Sequence, residues 1–395
     1  MPDKHARLGP SKAHQWINCP PSILLEENFP DKGSVEASEG TLAHKLAEET
    51  LRYNNNEMTK AAFTRRWNKI KESDLYNGQM QEYVEGYASF VWEQVNEIKK
   101  TCKDPLVLFE QELHFDRYVP DGFGTSDVVI IADNTAHVID FKYGKGVGVD
   151  AHENPQLRLY ALGAYLEFSD LYDIQQVQMT IAQPRMENYS SDLISVPDLL
   201  KWAEEVVKPA AEMAIKGEGQ LKVGDHCRWC KAKAACKAQK EYQLEMLKYD
   251  FADSELMDPE EIADVLSRVD DLVKWAGEVK EYALDQALHY DEHYPGFKLV
   301  EGRSVRKYTD EEEIAKTLID ARFTEKQIYK PRELQGITAM EKLLGKKKFQ
   351  ELIGKYVEKP EGKPTLVPES DKRPEWKSEN EVLDELIKED TDGEE

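Results

Sequence analysis

Along the chain, hydrophobic residues change their spacing several times, and each change marks an element. Gly9 to Pro21 (GPSKAHQWINCPP) predicts a short helix capped by Ser11 and stopped by Pro20 and Pro21. A loop containing Gly33 and Gly40 follows. Thr41 to Arg52 then has helical spacing, with Leu42, Leu46 and the Ala43/Ala47 pair on one side. Residues 79–100 predict the longest clearly periodic helix, carrying Tyr83, Tyr87, Phe90, Val91 and Val95 at i, i+3, i+4 intervals. The period next falls to two. Leu106 to Phe115, Thr125 to Ala132 and Ala136 to Phe141 predict three strands, and the Asp133-Asn134-Thr135 turn makes the last two an antiparallel hairpin. Asn154-Pro155 opens a helix through Glu167, Gln176 to Ile181 predicts another strand, and residues 197–216 a further helix. Helices, three strands, helix, strand, helix describe an α/β fold, a mixed sheet flanked by helices.

Beyond Cys236 the pattern becomes mainly helical. Residues 242–292 are acidic on one side and Leu/Val/Ala-rich on the other, and 297–356 mix short elements with basic clusters (Arg303, Arg306, Lys307; Lys346 to Lys348). After Val357 the chain is rich in Pro and charge and is expected to be disordered. The division expected is 1–241, 242–356 and an acidic tail, 357–395. A length of 395 residues suits two or three folding units, and the aromatic content is enough for a sizeable core. The longest fully apolar run, Val128 to Ala132, is far short of the roughly 20 residues that span a bilayer, and the N-terminus lacks the apolar core of a secretory signal. The expectation is a soluble, cytoplasmic protein with no membrane contact.

Charge complicates a nucleic-acid role. Lys plus Arg is 52 against 76 Asp plus Glu, a net of −24, which argues against a surface basic throughout. The charge is uneven, however. Glu381 to Glu395 holds eight acids and one Lys, whereas His226 to Lys240 carries Arg228, Lys231, Lys233, Lys237 and Lys240 with no acid. A polyanion has a local place to dock.

The chemistry concentrates in Gly124-Thr-Ser-Asp127, Val138-Ile-Asp140-Phe-Lys142 and Gln156-Leu-Arg-Leu-Tyr160. Asp140 and Lys142, two apart on a strand, share a face. The short turn puts Asp127 opposite or diagonal to Asp140. Two carboxylates about 4 Å apart repel by roughly 4 kcal/mol at an effective dielectric near 20. A divalent cation reverses that term, and hard oxygen ligands suit Mg²⁺ or Mn²⁺. A neighbouring ammonium can orient a water or stabilise a crowded phosphate, which together describe metal-assisted phosphodiester hydrolysis. An isolated Asp-x-Lys on a strand is common, so the weight rests on the ensemble. Glu110 and Glu112 are weaker candidates for a further ligand, since strand acids often face solvent.

Cys227-x2-Cys230-x5-Cys236 forms a compact ligand set rather than a disulfide framework in a reducing compartment. Four thiolates suit either Zn²⁺ or an iron–sulfur cluster, and spacing alone does not choose. Cys102 lies outside the pattern.

The ensemble resembles the PD-(D/E)XK nuclease superfamily, in its RecB-like branch. Asp127 matches Gly-x-x-Asp, Asp140-Phe-Lys142 matches (D/E)-x-K, and Gln156 with Tyr160 matches Gln-x-x-x-Tyr; Gly40-Thr-Leu-Ala-His44 fits the Gly-x-x-x-His of that branch. The resemblance covers about residues 9–240 and implies a restriction-endonuclease-like core. It implies that His44, Asp127, Asp140 and the carbonyl of Phe141 hold the metal and that Lys142 is the catalytic lysine. Gln156 would then position the active-site strand, and Tyr160 would approach the DNA. In the B subunit of AddAB and in CRISPR-associated RecB-type nucleases, one Cys before the His motif and three after the Gln-x-x-x-Tyr helix ligate a [4Fe–4S] cluster. Cys19, Cys227, Cys230 and Cys236 follow that order. Closing the intervening loop of roughly 200 residues would stabilise the fold by up to roughly 5 kcal/mol.

The opening Pro10-Ser-Lys-Ala-His-Gln-Trp-Ile-Asn-Cys-Pro-Pro21 and the closing Lys363-Pro-Thr-Leu-Val-Pro-Glu-Ser-Asp-Lys-Arg-Pro374 also resemble a phage- or prophage-borne RecB-type family. The implied function is a metal-dependent DNA exonuclease of recombination or replication in a bacterial host cell. It would act on single strands or duplex ends beside a recombination or single-strand-binding partner. No Gly-x4-Gly-Lys-[Ser/Thr] motor motif occurs. A single-strand groove would draw on Trp229, Tyr143 and Tyr160, and 242–292 would serve as a lid, oligomer surface or partner dock. The alternatives are a non-catalytic DNA-binding or scaffolding protein that keeps the fold, and a zinc-bearing nuclease.

Overall fold

The computed structural model describes residues 6–30, 33–245, 258–300, 311–320, 322, 324–328 and 334–358. The expected acidic tail, the basic cluster at 303–307 and part of the 242–292 helix fall outside the described residues.

Among the described residues, helices surround a sheet. Helices α1 (Ala13–Asn18) and α2 (Ser22–Glu26) precede α3 (Val35–Asn54), α4 (Lys60–Lys71) and α5 (Gly78–Ile98). Strands β1 (Leu106–His114), β2 (Phe123–Ala132) and β3 (Thr135–Phe141) follow, then α6 (Pro155–Phe168), β4 (Gln176–Gln183), β5 (Asn188–Ser195) and α7 (Val196–Trp202). A π turn over Ala203–Val207 joins α7 to α8 (Lys208–Lys216), so the single helix expected over 197–216 is one path with a widened turn. Pro209 accounts for the widening: it has no N–H and its ring crowds the carbonyl four residues back.

Sheet order is β1-β2-β3-β4-β5, antiparallel except for the β3–β4 pair. The parallel pair needs a crossover, and α6 provides it. β5 was not expected. Its sequence, NYSSDLIS, offers polar residues on both faces, and Tyr189 and Leu193 are exposed at this edge. Backbone pairing to β4, with the Thr180–Ser191 hydroxyl contact at 2.9 Å, holds it instead.

Period-two alternation sends side chains to two cores. Val129, Ile131, Val138, Val177 and Met179 pack with Trp16, Leu157, Leu162 and Leu199 of α1, α6 and α7. On the other side, Val128, Ile130, Ile139 and Phe141 pack with Leu46, Ile70, Met80, Val84 and Val91 of α3, α4 and α5. The result is three layers, helices on each face of a mixed sheet.

The C-terminal region is helical: α9 (Lys237–Leu244), α10 (Pro259–His289), α11 (Glu311–Asp320), α12 (Glu325–Ile328), α13 (Ile337–Leu344) and α14 (Lys346–Ile353). At 31 residues, α10 is longer than the helix expected over 79–100, observed as α5. It opens with a complete capping box at Asp258 and Glu261. Among the described residues, no helix is long and apolar enough to cross a membrane.

His137, on β3 between Ile130 and Gln178, is neutral because burial pushes its pKa down to about 4. Between that value and about 6.5 the unfolded chain binds the proton and the folded chain does not. This residue's contribution to stability therefore falls as pH drops through that window, by about 3 kcal/mol below pH 4, and is flat above it. Denaturant melts from pH 7 to 4 should show His137→Gln losing less stability on acidification than the wild type; parallel curves would contradict the assignment.

Candidate active site

Three acids lie in register across three strands. Phe109 faces Val128 and Gln111 faces Ser126, so Glu110 of β1 lies across from Asp127 of β2. Val128 faces Ile139, so Asp127 lies across from Asp140 of β3. At Glu110 the backbone turns left-handed, with φ of +50° in the middle of a strand, a conformation that a non-glycine residue adopts at a cost. The expected diagonal or opposite placement of Asp127 and Asp140 is the one observed.

Helices bring the remaining groups from both faces. α3, capped by Ser34, presents His44, whose Nδ1 lies 2.9 Å from Asp127 Oδ1. The other Asp127 oxygen accepts the backbone N–H of Phe141 at 2.6 Å. Ligand atoms of His44, Glu110 and Asp127 all lie within 4.8 Å of one another. Asp140 is one strand further on, with its carboxylate turned toward α6. Gln156 Nε2 donates to Asp140 Oδ1 at 3.1 Å and to the Tyr160 hydroxyl at 3.4 Å, while Gln156 Oε1 accepts from Lys142 Nζ at 2.8 Å. Lysine only donates and a carboxylate only accepts, so this network fixes which way the amide points. Asn154 starts α6 by accepting from the N–H groups of Gln156 and Leu157, and one helical turn separates Gln156 from Tyr160.

The structure thus brings His44, Asp127, Asp140, Phe141, Lys142, Gln156 and Tyr160 to one place in two adjoining sets. Glu110, the weaker sequence candidate, joins His44 and Asp127; Glu112 turns away to His114, 3.2 Å distant. A hydroxyl that sequence reasoning had counted only as packing is also present. Tyr87 of α5 is buried, stacks on the Phe141 ring at 4.3 Å and borders the same small pocket as His44, Glu110 and Asp127. Its OH has no hydrogen-bond partner among the described residues.

Electrostatics follow from crowding. Burial and then the Asp127 charge push Glu110 up to about 7. Burial would lower His44, but the charge and hydrogen bond of Asp127 raise it to about 9. Burial would likewise raise Asp127, yet the His44 charge and the hydrogen bonds from His44 and Phe141 hold it below the usual carboxylate range. Asp140 is raised by burial and by Asp127, with Lys142 opposing. Tyr160 is raised, chiefly by burial, and stays a phenol. A proton on His44 and one shared out to Glu110 compensate the charge that these acids would otherwise accumulate. Asp140 Oδ2 pairs with Lys142 Nζ at 3.0 Å. Two carboxylates and an imidazole with ligand atoms within 4.8 Å of one another make a donor set of the kind a hard divalent ion takes.

The sequence profile of the family described as "Protein of unknown function (DUF2800)" matches residues 5–374. The chain belongs to the DUF2800 family. The chain is also similar to a solved structure titled "Crystal structure of SSO0001", with 16% identity and a TM-score of 0.23 over 50% of this chain and 85% of that one.

In this DUF2800 chain Cys19, Cys227, Cys230 and Cys236 line one cavity with Gln15, His226 and Gln239. None is in a disulfide, and burial pushes the Cys230 thiol up to about 12. Among the described residues, no three of these thiols lie within 4.8 Å of one another. Glu26 of α2 joins the two halves of the cavity wall: it accepts from the Lys231 N–H at 2.7 Å and pairs with Lys12 at 2.5 Å. Cys102 is elsewhere, past the end of α5. Of the three aromatics expected in a single-strand groove, Trp229 is exposed, whereas Tyr143 and Tyr160 are buried.

Gly124, first residue of the Gly-x-x-Asp motif, is small because of its neighbours. A Cβ there would sit 2.5 Å from Pro10 Cγ and 3.0 Å from Tyr160 Cε1. Gly124→Ala should cost about 1–3 kcal/mol in a denaturant melt. An unchanged midpoint would mean that Pro10 is not seated against the motif.

Proposed function

We propose that the protein is a Mg²⁺- or Mn²⁺-dependent DNA exonuclease with a PD-(D/E)XK-type core, serving phage or prophage recombination or replication. The observation that carries this reading is the meeting of His44, Glu110 and Asp127 within 4.8 Å, beside an Asp140–Lys142–Gln156–Tyr160 network. Asp140 and the Phe141 carbonyl complete the ligand set expected from the resemblance, to which Glu110 is added. A divalent ion held there would supply a Lewis acid and a water of lowered pKa.

The chain's own groups do the rest. Lys142, steered by the Gln156 carbonyl oxygen, keeps its ammonium beside Asp140, where negative charge would gather on a phosphate in the transition state. Gln156 donates to Asp140 and accepts from Lys142, tying the end of β3 to α6 so that the ammonium and the carboxylate keep their relative positions, and it also donates to Tyr160 one turn along α6. Tyr87 and Phe141 close the α5 side against water.

A [4Fe–4S] cluster held by Cys19, Cys227, Cys230 and Cys236 is the second part of the proposal. What supports a cluster over a single zinc ion is the order of the four cysteines around the His and Gln-x-x-x-Tyr motifs, as the resemblance implies, together with their meeting at one cavity.

End-labelled single- and double-stranded DNA incubated with Mn²⁺ tests the activity. Wild-type protein should shorten labelled strands progressively. Lys142→Ala should be slower by about 10²–10⁴-fold, and Asp127→Asn should lose cleavage while still binding DNA. A wild-type preparation that cuts neither substrate would favour a scaffolding protein on the nuclease fold. Anaerobic preparations should contain iron and be coloured, and Cys19→Ala should lower both iron content and melting temperature. Stoichiometric zinc without iron would overturn the cluster.

A further inference from the structure

The exposed side of α4 has no part in the site just described, and it runs against the charge of the whole chain. In a protein of net −24, this 12-residue helix holds Lys60, Arg65, Arg66, Lys69 and Lys71 and no acid. Two of the five cations are committed. Arg66 grips Glu49 of α3 with both contacts near 3.0 Å, and Lys71 lies over the rings of Trp67 and Tyr76. The apolar side is also committed: Phe63 stacks on Tyr53 at 4.4 Å, and Ile70 is buried with Ala43, Leu46 and Ala47. Lys60, Arg65 and Lys69 are left exposed, with no ion pair among the described residues. They line one open groove with Ala61, Thr64 and Asn68, and Glu72 closes its end.

We infer that this groove is a track for the phosphate backbone of a nucleic-acid strand. Three unpaired cations interleaved with Thr64 and Asn68, both short hydrogen-bonding side chains, match phosphate oxygens and carry no base-reading geometry. Lys60 and Lys69 are about 14 Å apart along the helix axis, room for several phosphates at about 3.4 Å each along one strand. The helix that carries the track packs on α3, which also carries His44. Arg66 pairs with Glu49, five residues along α3 from His44, and Ile70 packs beside Ala43. The direction of the track, toward the carboxylates, rests on the nuclease reading; its affinity for phosphates does not.

The test uses the full chain carrying Lys60→Gln, Arg65→Gln and Lys69→Gln together, changes that keep helix propensity and leave the buried side alone. Binding of a fluorescent single-stranded oligonucleotide is measured in EDTA over a range of salt, alongside thermal melting and Mn²⁺-dependent hydrolysis of a small diester, bis(p-nitrophenyl) phosphate. The expected result is an unchanged melting temperature, weaker oligonucleotide binding, and a slope of log K against log salt reduced by about 2, from about 0.7 per lost contact. Turnover of the small diester should be unaffected. The same slope and affinity in wild type and variant would overturn the track, as would binding of polyglutamate as tight as that of DNA and equally dependent on the three cations. Loss of slope in a protein that hydrolyses neither DNA nor the small diester would leave the track standing and remove the nuclease reading.

Discussion

A row of acids on adjacent strands is the constraint around which this protein is arranged. Glu110, Asp127 and Asp140 occupy matching positions on β1, β2 and β3, where each is shielded from water. Like charges at such range repel by several kcal/mol even at an effective dielectric near 20. The fold answers with the His44 imidazole on one side and the Lys142 ammonium on the other, while Glu110 is pushed up to about 7. Each answer needs its own support. α3 must hold His44 at 2.9 Å from Asp127, and α6 must hold Gln156 between Asp140 and Lys142. Removing one partner would leave a buried charge uncompensated, which costs more than the pair gains.

The three-layer architecture makes this convergence achievable. A helix on one face of a sheet reaches only the side chains of that face, whereas this site draws on both. α3 and α5 approach from the core that contains Phe141, and α6 from the core that contains Leu157 and Leu162. The two sets meet at the middle of β2 and the end of β3, where Asp127 precedes the run paired between these strands and Lys142 follows β3. The parallel β3–β4 step matters here, since its crossover is α6, the helix that brings Gln156 and Tyr160 back over the strand carrying Asp140.

Much of this could be read before the structure, and the exceptions have physical causes. The hairpin, the Asp140/Lys142 pair and the Gln156/Tyr160 turn are legible because periods of two and of about 3.6 are fixed by backbone geometry. Glu110 was the weaker candidate because its place beside His44 and Asp127 depends on a left-handed residue in mid-strand, and nothing in the letter Glu announces that. Tyr87 hid in a run of helix-spaced aromatics, where burial was evident but the direction of its hydroxyl was not. β5 has no apolar alternation because its outer face is solvent and its pairing is made by backbone. α4 was passed over for a related reason: three large apolar side chains, Phe63, Trp67 and Ile70, among five cations leave too thin a stripe to stand out.

The N-terminal segment ties the cysteine cavity to the acids. Trp16 is fully buried and its indole N–H donates to the Gly9 carbonyl, which fixes the turn that carries Pro10. Pro10 lies against Gly124 and, through it, against Tyr160. Nine residues later the same segment puts Cys19 in the cavity wall, and Glu26 then binds the Lys231 N–H across it. A single short stretch therefore touches the Gly-x-x-Asp motif at one end and the cysteine loop at the other. Such a stretch has little core of its own, so its order depends on what anchors its ends. A thiolate-bound group at Cys19 would hold Pro10 in place without touching the carboxylates. On that arrangement the role of the distant cysteines is mechanical. They would keep Pro10 seated against Gly124, on the side where the Tyr160 ring also lies.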